Sequence, residues 1–267
     1  MPTPLEMQRT FALVGTGGCG KTSLAEMLLF NAGAVTRMGA IEDGTTSLDY
    51  EPEEVRRRGS VQPACAAYLW NKNRHFLLDI PGDGNFTGDM ECLLKGVDSV
   101  LFVLDAVDGV RPLSKKFWSM VRAENLPAMI IINKLDRDRA DFHMAFDGLA
   151  ALGVKPVALQ VPIRQGEAFV GVVDVLTGKA RMFTENGGSS DDTTVGIIRR
   201  LGIHNTDKIE HMSLKARDDI AKYLLLDKQE EEILWPLDRS RPRSNGVGAV
   251  SLETFLFLHA ARHPGML

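Results

Sequence analysis

The stretch GTGGCGKT, residues 15 to 22, fits the pattern GxxxxGK[ST]. It lies between a continuously apolar run, FALVG at 11 to 15, and a segment of helical periodicity, KTSLAEMLLFN at 21 to 31. A glycine-rich turn joining a buried strand to a helix N-terminus aims several backbone N–H groups into one concavity, which suits a phosphate. In that arrangement Gly15, Thr16, Gly17, Gly18, Cys19 and Gly20 line the loop, Lys21 reaches the β- and γ-phosphates, and the Thr22 hydroxyl ligates Mg²⁺. The alternative is a chance glycine-rich turn, and the position between strand and helix argues against it.

Three further apolar runs, HFLLDI (75 to 80), SVLFVLDA (99 to 106) and AMIIIN (128 to 133), read as buried parallel strands. Helical spacing recurs weakly in LSKKFWSMVRAE and again in DFHMAFDGLAALG, which ends in a glycine cap. Strand alternating with helix predicts an α/β P-loop fold, a doubly wound, mostly parallel sheet flanked by helices. Beyond residue 156 the texture changes. VALQVPI and FVGVVDVL predict a strand pair around a turn containing Gly166, ENGGSSDDTT a polar loop, and residues 208 to 233 a charged, solvated helix. A last strand is expected near ILWPL and a last helix near SLETFLFLHAARH. The expected division is therefore a core over residues 1–156, an inserted smaller α+β subdomain over 157–232, and the closing strand and helix over 233–267. At about 150 residues per domain, a 267-residue chain accommodates that plan.

Composition narrows the partners. Hydrophobic residues make up 44% and the net charge is −4, so no general pull toward nucleic acid or anionic membrane exists. Sequence-specific nucleic-acid recognition and membrane association are not expected, and a monomer is. Three cysteines without CxxC spacing disfavour a disulfide framework or a zinc site. With no signal pattern in MPTPLEMQRT, a reducing cytoplasm fits best.

Two more motifs end apolar runs: Asp79-Ile80-Pro81-Gly82 and Asn133-Lys134-Leu135-Asp136. In an open α/β sheet, ligands bind at the carboxyl ends of the strands, so the three motifs are expected to converge on one crevice. An aspartate in DxxG suits the Mg²⁺ shell, commonly through water, and a glycine lets its N–H approach a γ-phosphate. Asp136 can accept two hydrogen bonds from guanine, N1–H and the exocyclic amino group, a donor pair adenine lacks. GTP and GDP are therefore favoured over adenine nucleotides. A strand-terminating turn with a helix cap is the bland alternative for Asn133 and Asp136.

The order GTGGCGKT, DGTTSLDYEPEEVRRRGS, DIPGDGNF and NKLDR resembles the GTP-binding domain of translation elongation factor G, especially its divergent elongation-factor-G-like relatives. VALQVPIRQGEAFVGVVDVLTGKARMF resembles the start of that family's insert subdomain. The resemblance implies a translational GTPase fold, GTP and Mg²⁺ as ligands, and the ribosome as activating partner. The family continues into further domains that contact the ribosome, so translocation by the family mechanism is not expected of this stretch alone. Four positions depart from the pattern. Gly18 stands where an aspartate is usual. The first switch normally presents a threonine two positions after an Arg-Gly pair, whereas Arg58-Gly59 is followed by Ser60-Val61-Gln62, so Ser60 supplies a metal-binding hydroxyl only if the backbone shifts by one residue. Ser240 is the counterpart of a guanine-supporting Ser-Ala segment. Asp83 replaces the histidine that follows DxxG and positions the attacking water.

Lys21 and Asp83 are thus the candidate catalytic residues, and slow intrinsic hydrolysis is expected. Two unit charges about 4 Å apart cost roughly 4 kcal/mol at an effective dielectric of 20, so an ionised Asp83 facing a γ-phosphate is opposed. Two arrangements stay open, an outward turn residue of GDGN and a partner of the catalytic water. Cys19 reads either as a thiol activated by Lys21 and the helix N-terminus or as a small residue in a tight loop. In EPEEVRRRG, Glu53–Arg57 and Glu54–Arg58 make i,i+4 pairs if helical, compatible both with a solvated turn and with a switch segment. Arg239, Arg241 and Arg243 are a solvated basic loop or an RNA contact. A GTP-binding switch with little hydrolysis and an ATP-using P-loop protein remain the competing functions.

Overall fold

The computed structural model describes Pro4, residues 7–175, 179–183 and a strand at 189–194. The expected helix at 208–233, the closing strand and helix, Ser240 and the arginines at 239, 241 and 243 lie outside the described residues.

The first sheet has the order β2-β3-β1-β4-β5, formed by β1 (Gln8–Val14), β2 (Ala64–Trp70), β3 (Asn73–Asp79), β4 (Ser99–Asp105) and β5 (Ala128–Asn133). β1 pairs in parallel with β3 on one side and β4 on the other, and β4 pairs in parallel with β5. Alternate residues of these strands feed two cores. Phe11, Leu13, Leu77, Leu101 and Val103 meet Leu24, Leu28 and Leu29 of α1 (Lys21–Asn31). On the opposite face Ala12, Val14, Val100, Phe102 and Leu104 meet Met90 and Leu94 of α3 (Thr87–Leu94) and Phe117, Trp118 and Val121 of α4 (Pro112–Ala123). Helices cover both faces, which is why these strands carry continuous apolar runs.

β2 has no counterpart among the strands expected from the sequence. It is an edge strand, antiparallel to β3, and only its alternate residues Ala64 and Tyr68 are buried. Its run ACAAYLW is apolar but rich in alanine, a poor strand former, so the strand signal is weak. Asn71 and Lys72 close the hairpin, both with positive φ (47° and 67°), the conformation a two-residue turn between twisted strands requires. The short α2 (Pro52–Arg57) begins on Glu51 with a capping box and Pro52 in its first turn.

α5 (Phe142–Gly148) runs into a 3-10 turn that ends at Gly153, φ 71°, as the glycine cap predicts. A second, four-stranded sheet follows, β6 (Gln160–Gln165), β7 (Ala168–Asp174), β8 (Lys179–Phe183) and β9 (Ser189–Thr194), all antiparallel. The β6–β7 hairpin turns at Gly166, φ 62°. The expected polar loop ENGGSSDDTT is corrected here: its second half is β9, because backbone pairing to β8 needs no apolar side chains. Among the described residues no helix is long and apolar enough to cross a membrane.

His75 of β3 is buried, stacked on Tyr68 at 5.0 Å and edge-on to Phe11. Burial, reinforced by the nearby Arg9 charge, lowers its pKa to about 4. The unfolded chain therefore binds a proton that the native state refuses, and this contribution to stability is present above pH ~6.5 and is lost as pH falls toward 4. Replacing His75→Leu is expected to flatten the dependence of Tm on pH in that window relative to wild type, read by thermal denaturation across pH 4 to 7.

Candidate functional site

The parallel pairing brings the carboxyl ends of β1, β3, β4 and β5 to one edge of the sheet, with β1 at the point where the chain crosses from one half to the other. The loop after β1 turns through Gly18 (φ 74°) and Gly20 (φ 99°), and Gly20 caps α1. Those two left-handed residues fold GTGGCG over the helix N-terminus, and glycine adopts them without a Cβ penalty. The Lys21 side chain is buried and curls back, its Nζ donating to the carbonyls of Gly15 (2.9 Å) and Thr16 (3.2 Å).

The other two motifs are bonded directly to this loop. Gly17 N–H donates to the Gly82 carbonyl at 2.9 Å. A Cβ at residue 82 would lie 2.5 Å from Gly17 N, Thr16 C and Lys21 Nζ, so the approach is open only to glycine. The Asn133 side-chain amide donates to the Cys19 carbonyl at 2.7 Å, and Lys134 Nζ donates to the Gly18 carbonyl. Lys134 also pairs with Asp105 Oδ2 at 2.8 Å. Burial acts to raise the Asp105 carboxyl, but the Lys134 hydrogen bond and charge and the Val107 N–H outweigh it and hold it low. Leu135 is buried beneath the loop and Asp136 is exposed beyond it.

A chain of oxygens lies beside Lys21. Thr22 Oγ1 donates to Asp79 Oδ2 at 2.6 Å and lies 3.1 Å from Ser60 Oγ, and Ser60 in turn hydrogen-bonds Asp49. Asp79 is 1% exposed, and burial raises its pKa to about 6 against the opposing charge of Lys21 and the Thr22 hydrogen bond. Burial also raises the Asp49 carboxyl. Asp79 Oδ1 and Asp49 Oδ2 are buried with no hydrogen-bond partner among the described residues. Two hydroxyls and two carboxylates with unused oxygens are a hard-oxygen set that fits Mg²⁺. No group of three or more His, Cys, Asp or Glu side chains among the described residues is placed to hold a metal ion alone. A cation here therefore needs ligand oxygens from elsewhere, as phosphates supply.

Ser60 reaches Thr22 with the turn displaced by one residue relative to Arg58-Gly59. Arg58, rather than Gly59, takes the left-handed conformation that ends α2 (φ 54°), and Ser60 lies two positions beyond that left-handed residue. Glu54 corrects a second expectation. It makes no pair with Arg58. Buried at 2% exposure, its carboxylate accepts from the N–H groups of Val61 (2.9 Å), Gln62 (3.0 Å) and Glu51 (3.2 Å) and so holds the backbone around Ser60. Glu53 does pair with Arg57, and with Arg56 as well, in solvent. Glu26 of α1 is a third buried acid missed from the sequence, where it reads as one polar residue on an amphipathic helix. It accepts from Gly39 N, Ser47 N and Ser47 Oγ, tethering the segment before Asp49.

Asp83 takes the outward arrangement. It is exposed, its Oδ1 accepts from Asn85 N–H at 3.0 Å, and it caps a 3-10 turn at Gly84–Phe86. Cys19 is 1% exposed, and burial raises its thiol pKa despite the charges of Lys21 and Lys134, which favours the reading of a small residue in a tight loop over that of an activated thiol. Ile80 and Pro81 are buried within the turn leading to Gly82.

Comparison with known proteins places this geometry in context. Residues 6–232 match the family described as the elongation factor Tu GTP binding domain. Elongation factor G of Salinibacter ruber is 30% identical over 82% of this chain and 31% of its own length. Elongation factor G of Petrotoga mobilis is 32% identical over 88% of this chain and 34% of its own. That of Pseudothermotoga lettingae is 33% identical over 70% and 27%. The chain thus spans about a third of the length of these relatives. A crystal structure of a Thermus thermophilus protein superposes with a TM-score of 0.74 at 32% identity, covering 85% of this chain and 33% of that one.

The left-handed, exposed Arg58 carries a steric cost of ~1–2 kcal/mol that glycine avoids, offset in part by glycine's greater freedom when unfolded. Arg58→Gly is expected to raise stability by ~0.5–1 kcal/mol in urea unfolding while leaving nucleotide affinity unchanged.

Proposed function

Since the chain belongs to the family of the elongation factor Tu GTP-binding domain, we propose that it binds GTP and GDP, hydrolyses GTP to GDP and phosphate with Mg²⁺, and acts in translation elongation on the ribosome. The observation that carries this reading is the interlock of three distant motifs, Gly17 with Gly82 and Asn133 with Cys19, around the buried Lys21. In this reading Lys21 holds the β- and γ-phosphates with the loop N–H groups, and the Gly82 N–H faces the γ-phosphate. Thr22, Ser60 and Asp79 would hold Mg²⁺, which would supply positive charge to offset that of the phosphates. Asp136 accepts from guanine, with Asn133 bracing its loop against the phosphate loop.

Hydrolysis is slow without a partner. The residue after DxxG is Asp83, whose carboxylate accepts from Asn85 and, when ionised, cannot donate to a water. That same feature supports the second reading, a GTP-dependent switch that presents a surface to a partner and hydrolyses little. Multiple-turnover GTP hydrolysis with and without ribosomes separates the two: stimulation supports the GTPase, and flat, near-zero turnover supports the switch. Equal displacement of bound GDP by ADP and by GDP removes the guanine assignment altogether. Asp83→His is expected to raise ribosome-stimulated turnover by on the order of 10²-fold, and an unchanged rate removes the explanation by the missing histidine.

A further inference from the structure

We infer that Arg164, a residue of the second sheet, is a positioning residue for base specificity, holding the loop that carries Asp136. One guanidinium nitrogen, Nη2, donates to the carbonyls of both Leu135 and Ala140 at 2.8 Å, and Nη1 donates to the Glu167 carbonyl of its own hairpin at 3.0 Å. Leu135 and Ala140 are the two buried feet of a loop whose intervening side chains, 136 to 139, are all exposed. A single planar fork therefore closes the loop from below, and both hydrogens of Nη2 are used.

The hairpin is shaped for this contact. The register of β6 with β7 shifts between Ile163 and Arg164, a bulge that re-aims the side chain at that point, and Gly166 turns the chain at φ 62° directly after it. Phe169, across the hairpin from Arg164, packs on the apolar cluster of Ala106, Ile132, Leu135, Ala140, Phe142 and Ala145 beneath the same loop. Two contacts of different chemistry thus tie the second sheet to the segment following β5. Neither touches the phosphate side, where Asn133 and Lys134 already anchor the loop to residues 18 and 19. Arg164 supports the other end, where the base would lie.

The inference rests on the guanine reading of Asp136, and the test is chosen to separate the two. Inosine diphosphate lacks the exocyclic amino group that Asp136 accepts from, so the ratio of GDP to inosine diphosphate affinity reports the placement of that carboxylate. In the full chain, measured by displacement of a fluorescent GDP, Arg164→Ala is expected to lower this ratio by on the order of tenfold. GDP dissociation should quicken, with ADP affinity unchanged. Arg164→Lys, which keeps the charge but not the fork, should give an intermediate ratio. Ile163→Val, which loosens the same strand without touching the loop, should lower Tm and leave the ratio at the wild-type value. A wild-type ratio in both Arg164 variants overturns the inference while the guanine reading stands. Wild-type protein that binds ADP as tightly as GDP overturns the guanine reading, and the inference with it.

Discussion

The parallel pairing of β1 between β3 and β4 is the constraint on which the site depends. Because all three strands run the same way, every residue that follows them emerges at the same edge, and the chain must cross β1 to pass from β3 to β4. The crevice at that crossing receives the glycine loop from β1, Asp79 to Gly82 from β3, Asp105 from β4 and Asn133 from β5. An antiparallel arrangement would send half of these groups to the opposite end. Apolar burial on both faces fixes the pairing, with Leu13 and Val14 pointing into different cores one residue apart.

Electrostatics sorts the acids around this edge into two kinds. Glu26, Asp49, Glu54 and Asp79 are all at most 4% exposed, and a buried carboxylate is costly unless hydrogen-bonded. Glu26 and Glu54 are each supplied with three donors from the segment between residues 39 and 62, so they act as clamps on that segment. Asp49 and Asp79 are each left with one oxygen unmet among the described residues, and both lie on the Thr22–Ser60 hydroxyl chain. The incomplete pair marks where a cation is electrostatically favoured, and the complete pair marks what holds Ser60 there.

Much of this was legible in the sequence because its signals are local. GTGGCGKT, DIPG and NKLD carry their chemistry in adjacent residues, and four strands announce themselves by apolar runs that only a doubly covered sheet can bury. The failures have equally local reasons. β2 is alanine-rich and so weak in strand propensity, and β9 is polar with no apolar run to detect. Glu54 belongs to the charged string EPEEVRRRG and looks like solvent-facing charge, yet its partners include backbone amides seven and eight residues on, which no side-chain pattern records.

Sequence alone determined the fold class, the glycine-rich loop and the two motifs that meet it, since each requires particular side chains, or the lack of one, at fixed spacing. Tertiary structure alone decided that Arg58 takes the glycine-like turn and so delivers Ser60 to Thr22. It also decided that Cys19 is a buried, unactivated thiol and that Arg164 reaches across to Leu135 and Ala140. Those outcomes depend on backbone direction and on desolvation, and both are properties of how distant segments pack rather than of the residues that stand side by side in the chain.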